Sequence, residues 1–130
     1  MDTPPEPSQL IEQLQRNHRF DEWAATQGLK QDFRCVYCDI DLLASYDNYR
    51  SWVCDHIVPR SAGGDGSWEN VVVCCRTCNI IKGRYLPTGA SRTVRIADAR
   101  RYVQPKRDAY EVEVAMIRSL VRPSIEISNA

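Results

Sequence analysis

Val53-Cys54-Asp55-His56-Ile57-Val58-Pro59-Arg60 decides the fold, together with Trp68-Glu69-Asn70-Val71-Val72-Val73 and Cys75-Arg76-Thr77-Cys78-Asn79-Ile80-Ile81-Lys82-Gly83. The run from Trp52 to Val58 is rich in β-branched residues and closed by Pro59, so it reads as a strand. Gly63-Gly64-Asp65-Gly66 makes a loose turn, and Trp68 to Val73 returns as a second strand. From Thr77 onward Asn79, Ile80, Ile81, Lys82 and Arg84 suit a short helix that stops near Pro87. The order is strand, loop, strand, knuckle, helix.

Cys75-Arg76-Thr77-Cys78 has a twin upstream, Cys35-Val36-Tyr37-Cys38. A Cys-x-x-Cys turn lets two thiolates face one metal without strain. Two such turns supply four sulfurs, the closed tetrahedral pattern of a structural zinc. The rival reading is a redox pair or buried free thiols. Zinc binding of about 10–16 kcal/mol in such sites exceeds what a small core supplies, so folding is expected to depend on the metal. Cys54 and Cys74 are spare, and either could replace a ligand. Only Cys75 completes the two-residue gap to Cys78. Cys54, beside Val53, reads as a small buried hydrophobe.

A chain of 130 residues with a 43% hydrophobic share is one domain with a modest core, which a structural metal would help to stabilise. Met1-Asp2-Thr3-Pro4-Pro5-Glu6-Pro7 lacks the basic and apolar regions of a signal peptide. No apolar run approaches membrane-spanning length. The chain therefore reads as cytoplasmic, where six cysteines favour metal ligation over disulfides. Net charge is zero, but residues 76–107 hold nine basic groups against one acid, Asp98. A local field of that sign suits a phosphate backbone. Its alternative is a solvated, arginine-rich surface.

These residues resemble the HNH endonuclease family, whose fold is the ββα-metal finger. The match runs through Cys35-x-x-Cys38, Asp55-His56-x-x-Pro59, Gly63-Gly64, Asn70-Val71 and Cys75-x-x-Cys78-Asn79-x-x-Lys82-Gly83, about 50 residues between 35 and 84. It is the variant with Asn at the last metal-binding position. The resemblance implies a metal-dependent endonuclease that hydrolyses DNA phosphodiester bonds, leaving 5′-phosphate and 3′-hydroxyl ends. It also implies a bent strand end that brings the adjacent Asp55 and His56 to one site, and a catalytic role for Asn70 in fixing the loop and orienting His56.

The chemistry of the residues agrees with that implication. An imidazole titrates near neutral pH, so His56 can accept a proton from water. The Asp55 carboxylate and the Asn79 amide oxygen are hard ligands that suit Mg²⁺ or Mn²⁺. Lys82 and Arg84, with Arg60 in the loop facing the site, are the candidate phosphate contacts. Each role has a bland rival: Asp55 and Asn70 as turn caps, Asn79 as a helix cap, Lys82 as a surface lysine.

The expected architecture is α+β: a zinc-stapled ββα-metal core with flanking N- and C-terminal helices. Residues 1–7 read as a disordered tail, 8–33 as a helical arm, 34–87 as the nuclease core and 88–130 as a basic helical extension. In the arm Ser8 is expected to cap a helix beginning at Gln9, with Leu10, Ile11, Leu14 and His18 on one stripe. Asp21 is expected to cap a short helix ending at Gly28. Tyr46 to Trp52 reads as a loop. In the extension Thr93 is expected to cap a first helix. Pro105 would open a second that Pro123 ends. Tyr110, Val114, Ile117 and Val121 form one stripe there, and Val112, Met116 and Leu120 another. Their burial is expected against the core, with a homodimer through the C-terminal helices as the alternative. The partner is nucleic acid, most simply double-stranded DNA, and no membrane. Two other functions fit less of the sequence. A non-catalytic nucleic-acid-binding zinc module does not need Asp55-His56 with Asn79, and a structural zinc protein docking a partner does not need the arginines.

Overall fold

The computed structural model describes residues 6–129, with side chains through residue 123. Most of the tail read over residues 1–7 lies outside the described residues. Two helices open the chain, α1 (Pro7–His18) and α2 (Glu22–Lys30). The first begins earlier than Ser8 suggested: Pro7 takes the opening position, where a missing N–H costs nothing, and the Gln9 amide oxygen accepts from the Glu6 N–H at 3.1 Å. The second starts as expected on Asp21, whose carboxylate accepts from the Ala24 N–H at 2.6 Å. It runs past Gly28, because Gly28 is a point of close approach and not a stop. A Cβ there would collide with the Phe33 ring.

The residues read as a loop contain a one-turn helix, α3 (Tyr46–Arg50), capped by the Ser45 hydroxyl, which accepts from the Asn48 N–H. Next come β1 (Trp52–His56), a tight turn at Arg60–Ala62, β2 (Val71–Cys75) and α4 (Arg76–Lys82). The strands pair antiparallel in the register Trp52↔Cys75 to His56↔Val71. The second strand starts later than expected because Ser67 to Asn70 form a turn, with the Asn70 and Val71 N–H groups donating to the Ser67 carbonyl.

β2 is buried at every position, and α2 closes its outer edge. Gln27 Nε2 donates to the Val71 carbonyl at 2.9 Å. The Gln31 side chain copies a third strand: it donates to the Val73 carbonyl at 2.8 Å and accepts from the Val73 N–H at 3.0 Å. Strand-edge groups left unpaired invite association, and these two glutamines satisfy them. Phe20, Phe33, Tyr49 and Trp52 form an aromatic cluster that holds the arm on β1, with Phe20 and Trp52 stacked at 5.3 Å. The core proper is small: Leu42, Ile57, Val72, Val73, Ala99 and Val103 around the cysteines.

The C-terminal extension is one continuous helix, α5 (Arg92–Asn129), with Pro105 and Pro123 inside it. The expected break at Pro105 does not occur. That residue lies on the exposed side, where water can serve the backbone carbonyl left without its helical partner. The cap is Ser91 and not Thr93: its hydroxyl accepts from the Val94 N–H at 3.2 Å. Ala99 and Val103 pack into the core, and Tyr102 stacks on Tyr85 at 3.9 Å. Both apolar stripes are corrected. Tyr110, Val112, Val114, Met116, Ile117, Leu120 and Val121 are all exposed, because the helix has run past the body of the domain. Cys54 is likewise exposed, since its side chain points away from the core on the alternating strand β1. No described helix is long and apolar enough to cross a membrane.

Candidate functional site

The Cys35, Cys38, Cys75 and Cys78 sulfurs lie within 4.8 Å of one another. Cys38 and Cys75 are 3.8 Å apart, the edge of about 3.8 Å expected for a tetrahedron with ~2.3 Å zinc–sulfur bonds. The knuckles explain the closeness. The Tyr37 and Cys38 N–H groups point at Cys35 Sγ, and the Cys78 N–H at Cys75 Sγ. Cys75 also caps α4, so the second pair straddles a strand end and a helix start. A hydrogen bond from Cys38 holds the Cys35 thiol down to about 6, while the bond with Cys35 pushes Cys38 up. Four thiols this close cannot all ionise without a cation among them, and this donor set fits zinc. Cys74 is buried, and that burial raises its thiol.

α5 supplies a further partner that the cysteine spacing did not announce. Arg107 Nη1 lies 3.7 Å from both Cys75 Sγ and Cys78 Sγ. Arg100 Nε donates to the Val36 carbonyl at 2.6 Å, so the long helix is clamped to both knuckles.

Beside this cluster, on the far side of Tyr37, lies a second group. Asp55 is 5% exposed and points inward from β1. Its Oδ2 accepts from the Tyr37 hydroxyl at 2.5 Å and faces Lys82 Nζ at 3.1 Å. Its Oδ1 accepts from Asn79 Nδ2 at 3.1 Å. The fold therefore brings Asp55 and Asn79 together, and joins Lys82 to them. Lys82 follows Asn79 by three residues and shares its face of α4.

That placement corrects the reading of Lys82 as a phosphate contact. It is 1% exposed, and its ammonium also donates to the His56 carbonyl at 3.0 Å. A charge so committed braces the site from within and does not reach solvent. Arg84 is exposed. Much of the surrounding basic stretch also has structural employment. Arg92 donates to the Trp68 carbonyl, Arg95 to the Gly89 carbonyl, Arg101 pairs with Asp98, and Lys106 sits over the Tyr102 ring at 4.7 Å. Bonds to carbonyls leave the positive charge in place, so the local field survives in part.

His56 is half-buried at the end of β1. Its Nε2 accepts from Arg60 Nε at 3.1 Å, which leaves Nε2 as the lone-pair nitrogen. The imidazole thus meets Arg60, while the His56 backbone carbonyl meets Lys82. Asn70 is 8% exposed and acts as a staple. Its Oδ1 accepts from the Val58 N–H at 2.9 Å, and its Nδ2 donates to the Val58 and Asp65 carbonyls at 3.0 and 2.8 Å. It influences His56 through the backbone, two residues on. The staple needs Gly64, whose Cβ, if present, would overlap the Val58 carbonyl oxygen and crowd Asn70. His18, read as outside any site, is exposed on α1.

Sequence reasoning missed three participants: Tyr37, the buried role of Lys82, and Arg107. Only Lys82 left a signal, its three-residue step from Asn79.

No curated protein and no solved structure matches the chain. Residues 35–94, which carry every cysteine of the cluster together with Asp55, His56, Asn70 and Asn79, match the model of the HNH endonuclease family, and this part of the chain is an HNH-family domain.

Proposed function

We propose that the protein is a metal-dependent endonuclease that hydrolyses DNA phosphodiester bonds at a single-ion site on a zinc-stapled ββα-metal core. The observation that carries this reading is the Asp55–Asn79 contact, in which Asn79 Nδ2 donates to Asp55 Oδ1 at 3.1 Å and so sets a carboxylate and an amide side by side at the end of the strand that bears His56. Asp55 Oδ1 and the Asn79 amide oxygen would hold Mg²⁺ or Mn²⁺. Such an ion, when bound, neutralises charge on the phosphoryl oxygens and at the departing 3′ oxygen.

The chain's own groups do the rest. His56 Nε2 takes the proton of the attacking water once Arg60 releases it. The freed, exposed guanidinium of Arg60 then faces the phosphate oxygens that water attacks, and Arg84 extends the positive surface. Asn70 keeps the Val58–Asp65 loop, and with it Arg60, in register. Products carry 5′-phosphate and 3′-hydroxyl ends. Duplex DNA is the substrate favoured, in a reducing, cytoplasmic setting that keeps four thiols free for zinc.

A supercoiled plasmid incubated with zinc-loaded protein tests this. Relaxed circles should appear only after Mg²⁺ or Mn²⁺ is added, and Asn79→Ala should suppress them. No cleavage with either ion would leave a zinc-stapled binding module as the function, and cleavage indifferent to both the metal and Asn79→Ala would refute the ion site.

We also propose a second copy of the chain as the partner of α5. Tyr110, Val114, Ile117 and Val121 step by four, three and four, the spacing of a coiled-coil seam. The same face packs on the chain's own core at Val103, so two parallel helices would drive their domains into each other. An antiparallel pair avoids this and sets Glu111 beside the partner's Arg118 on both sides. Sedimentation should show a weak dimer that Ile117→Lys abolishes. A monomer at the highest soluble concentration would exclude it.

A further inference from the structure

We infer that Tyr37 is a positioning residue of the catalytic ion site: its hydroxyl fixes which oxygen of Asp55 is offered to the ion. The inference rests on the reading of Asp55 as an ion ligand given above.

Tyr37 lies between two zinc-type ligands, Cys35 and Cys38, and its own N–H points at Cys35 Sγ at 3.4 Å. Its main chain is therefore set by the knuckle. Its ring is buried at 3% exposure, and its hydroxyl donates to Asp55 Oδ2 at 2.5 Å. The same oxygen faces Lys82 Nζ at 3.1 Å. Two donors, one neutral and one charged, thus occupy Oδ2. Oδ1 accepts only from Asn79 Nδ2, on the amide whose oxygen is the candidate ligand. A carboxylate held this way cannot turn about its Cβ–Cγ axis to present both oxygens. It offers Oδ1 alone, on the side where Asn79 lies, and binds one-handed.

The arrangement gives the residue between the cysteines a second task. A side chain needed only to fill the core could be phenylalanine, which has the same shape. The hydroxyl adds a buried polar group that is tolerable only because Asp55 receives it. Without it, Oδ2 keeps Lys82 alone, and the carboxylate can swing toward the ammonium and away from Asn79. Loss of an outer partner that orients a metal ligand typically weakens metal binding about 10–100-fold.

The test is Tyr37→Phe in the full, zinc-loaded chain. Mn²⁺ affinity is measured directly by electron paramagnetic resonance, and the Mg²⁺ concentration for half-maximal plasmid cleavage is measured beside it. Zinc content and DNA KM serve as controls. The expected result is a metal requirement raised about tenfold with zinc content and DNA KM unchanged. Mn²⁺ affinity and Mg²⁺ requirement both within twofold of wild type would overturn the assignment. Asp55→Asn separates the two levels of the argument. If it binds Mn²⁺ like wild type, Asp55 is no ligand and the nuclease reading fails with it. If it loses Mn²⁺ while Tyr37→Phe keeps it, only the role of Tyr37 fails. Should Tyr37→Phe not take up zinc, 3-fluorotyrosine at position 37 keeps the ring and alters the donor. The same Mn²⁺ readout must then move, and an unchanged value overturns the proposal.

Discussion

Replacing Lys82 by methionine isolates the buried ion pair on which the site is built. Lys82 Nζ and Asp55 Oδ2 are 3.1 Å apart, with side-chain exposures of 0% and 6%. Two unit charges at that distance attract by about 5 kcal/mol at an effective dielectric constant near 20. Desolvation offsets much of this in the intact pair, but removing one partner leaves the other charge buried and uncompensated, at a cost of about 3–5 kcal/mol. Methionine fills most of the space, so packing loss adds little. For a small domain with a urea m-value of about 1–3 kcal/mol per M, the midpoint should fall by roughly 1–5 M. Urea unfolding at saturating zinc, followed by tryptophan fluorescence, measures it. Asp55→Asn in the same background removes the orphaned charge, so Asp55→Asn/Lys82→Met should recover at least half of the loss. A Lys82→Met cost under about 1 kcal/mol, or a double variant as unstable as both singles combined, would refute the reasoning. The buried placement has a second consequence. The salt dependence of DNA binding should keep its slope in Lys82→Met, whereas loss of a true phosphate contact lowers it by about 0.9.

Asp98 ties the Tyr85–Thr88 linker to α5, and the Tyr85 hydroxyl and then the Thr88 N–H hold its carboxyl down to about 2. A depressed carboxylate stabilises the fold fully above its unfolded value near ~4 and loses that contribution as pH falls through 2. Acid unfolding should therefore show wild type ahead of Asp98→Asn above pH ~4, with the gap closing toward pH ~2; a constant gap would argue against the linkage. Arg107→Gln removes the cation beside Cys75 and Cys78, and zinc transfer to a colorimetric chelator should then run about tenfold faster. Gly64→Ala forces the Val58 carbonyl aside and breaks the Asn70 staple. Cleavage should collapse while zinc content stays at one per chain, and full activity would contradict the close approach. Stripping zinc should erase cooperative unfolding, and a thermal transition that survives chelation would show that the core holds without it.

The local chemistry of the centre could be read from sequence because it depends on short spacings. Two Cys-x-x-Cys turns, a glycine pair and an Asn next to a knuckle each act over a few residues, and the four sulfurs meet as their spacing implied. What escaped were interactions that cross the chain. Tyr37 reaches Asp55 over 18 positions, and Arg107 reaches Cys75 over 32. Neither leaves a periodic trace. Lysine type misled at Lys82, since lysines are seldom buried and the exception required a carboxylate waiting at the same depth. Proline type misled at Pro105, where the helix continues because its lost bond falls on the exposed side. The arginine-rich stretch was visible as composition, but composition does not say that Arg92, Arg95 and Arg100 each grip a backbone carbonyl.

The reading stands or falls on whether the imidazole at the end of β1 handles a proton. Single-turnover cleavage of a labelled duplex by zinc-loaded protein in Mg²⁺ should fall by at least ~100-fold in His56→Ala, with DNA affinity and zinc content retained. A variant that cuts at the wild-type rate would contradict the account.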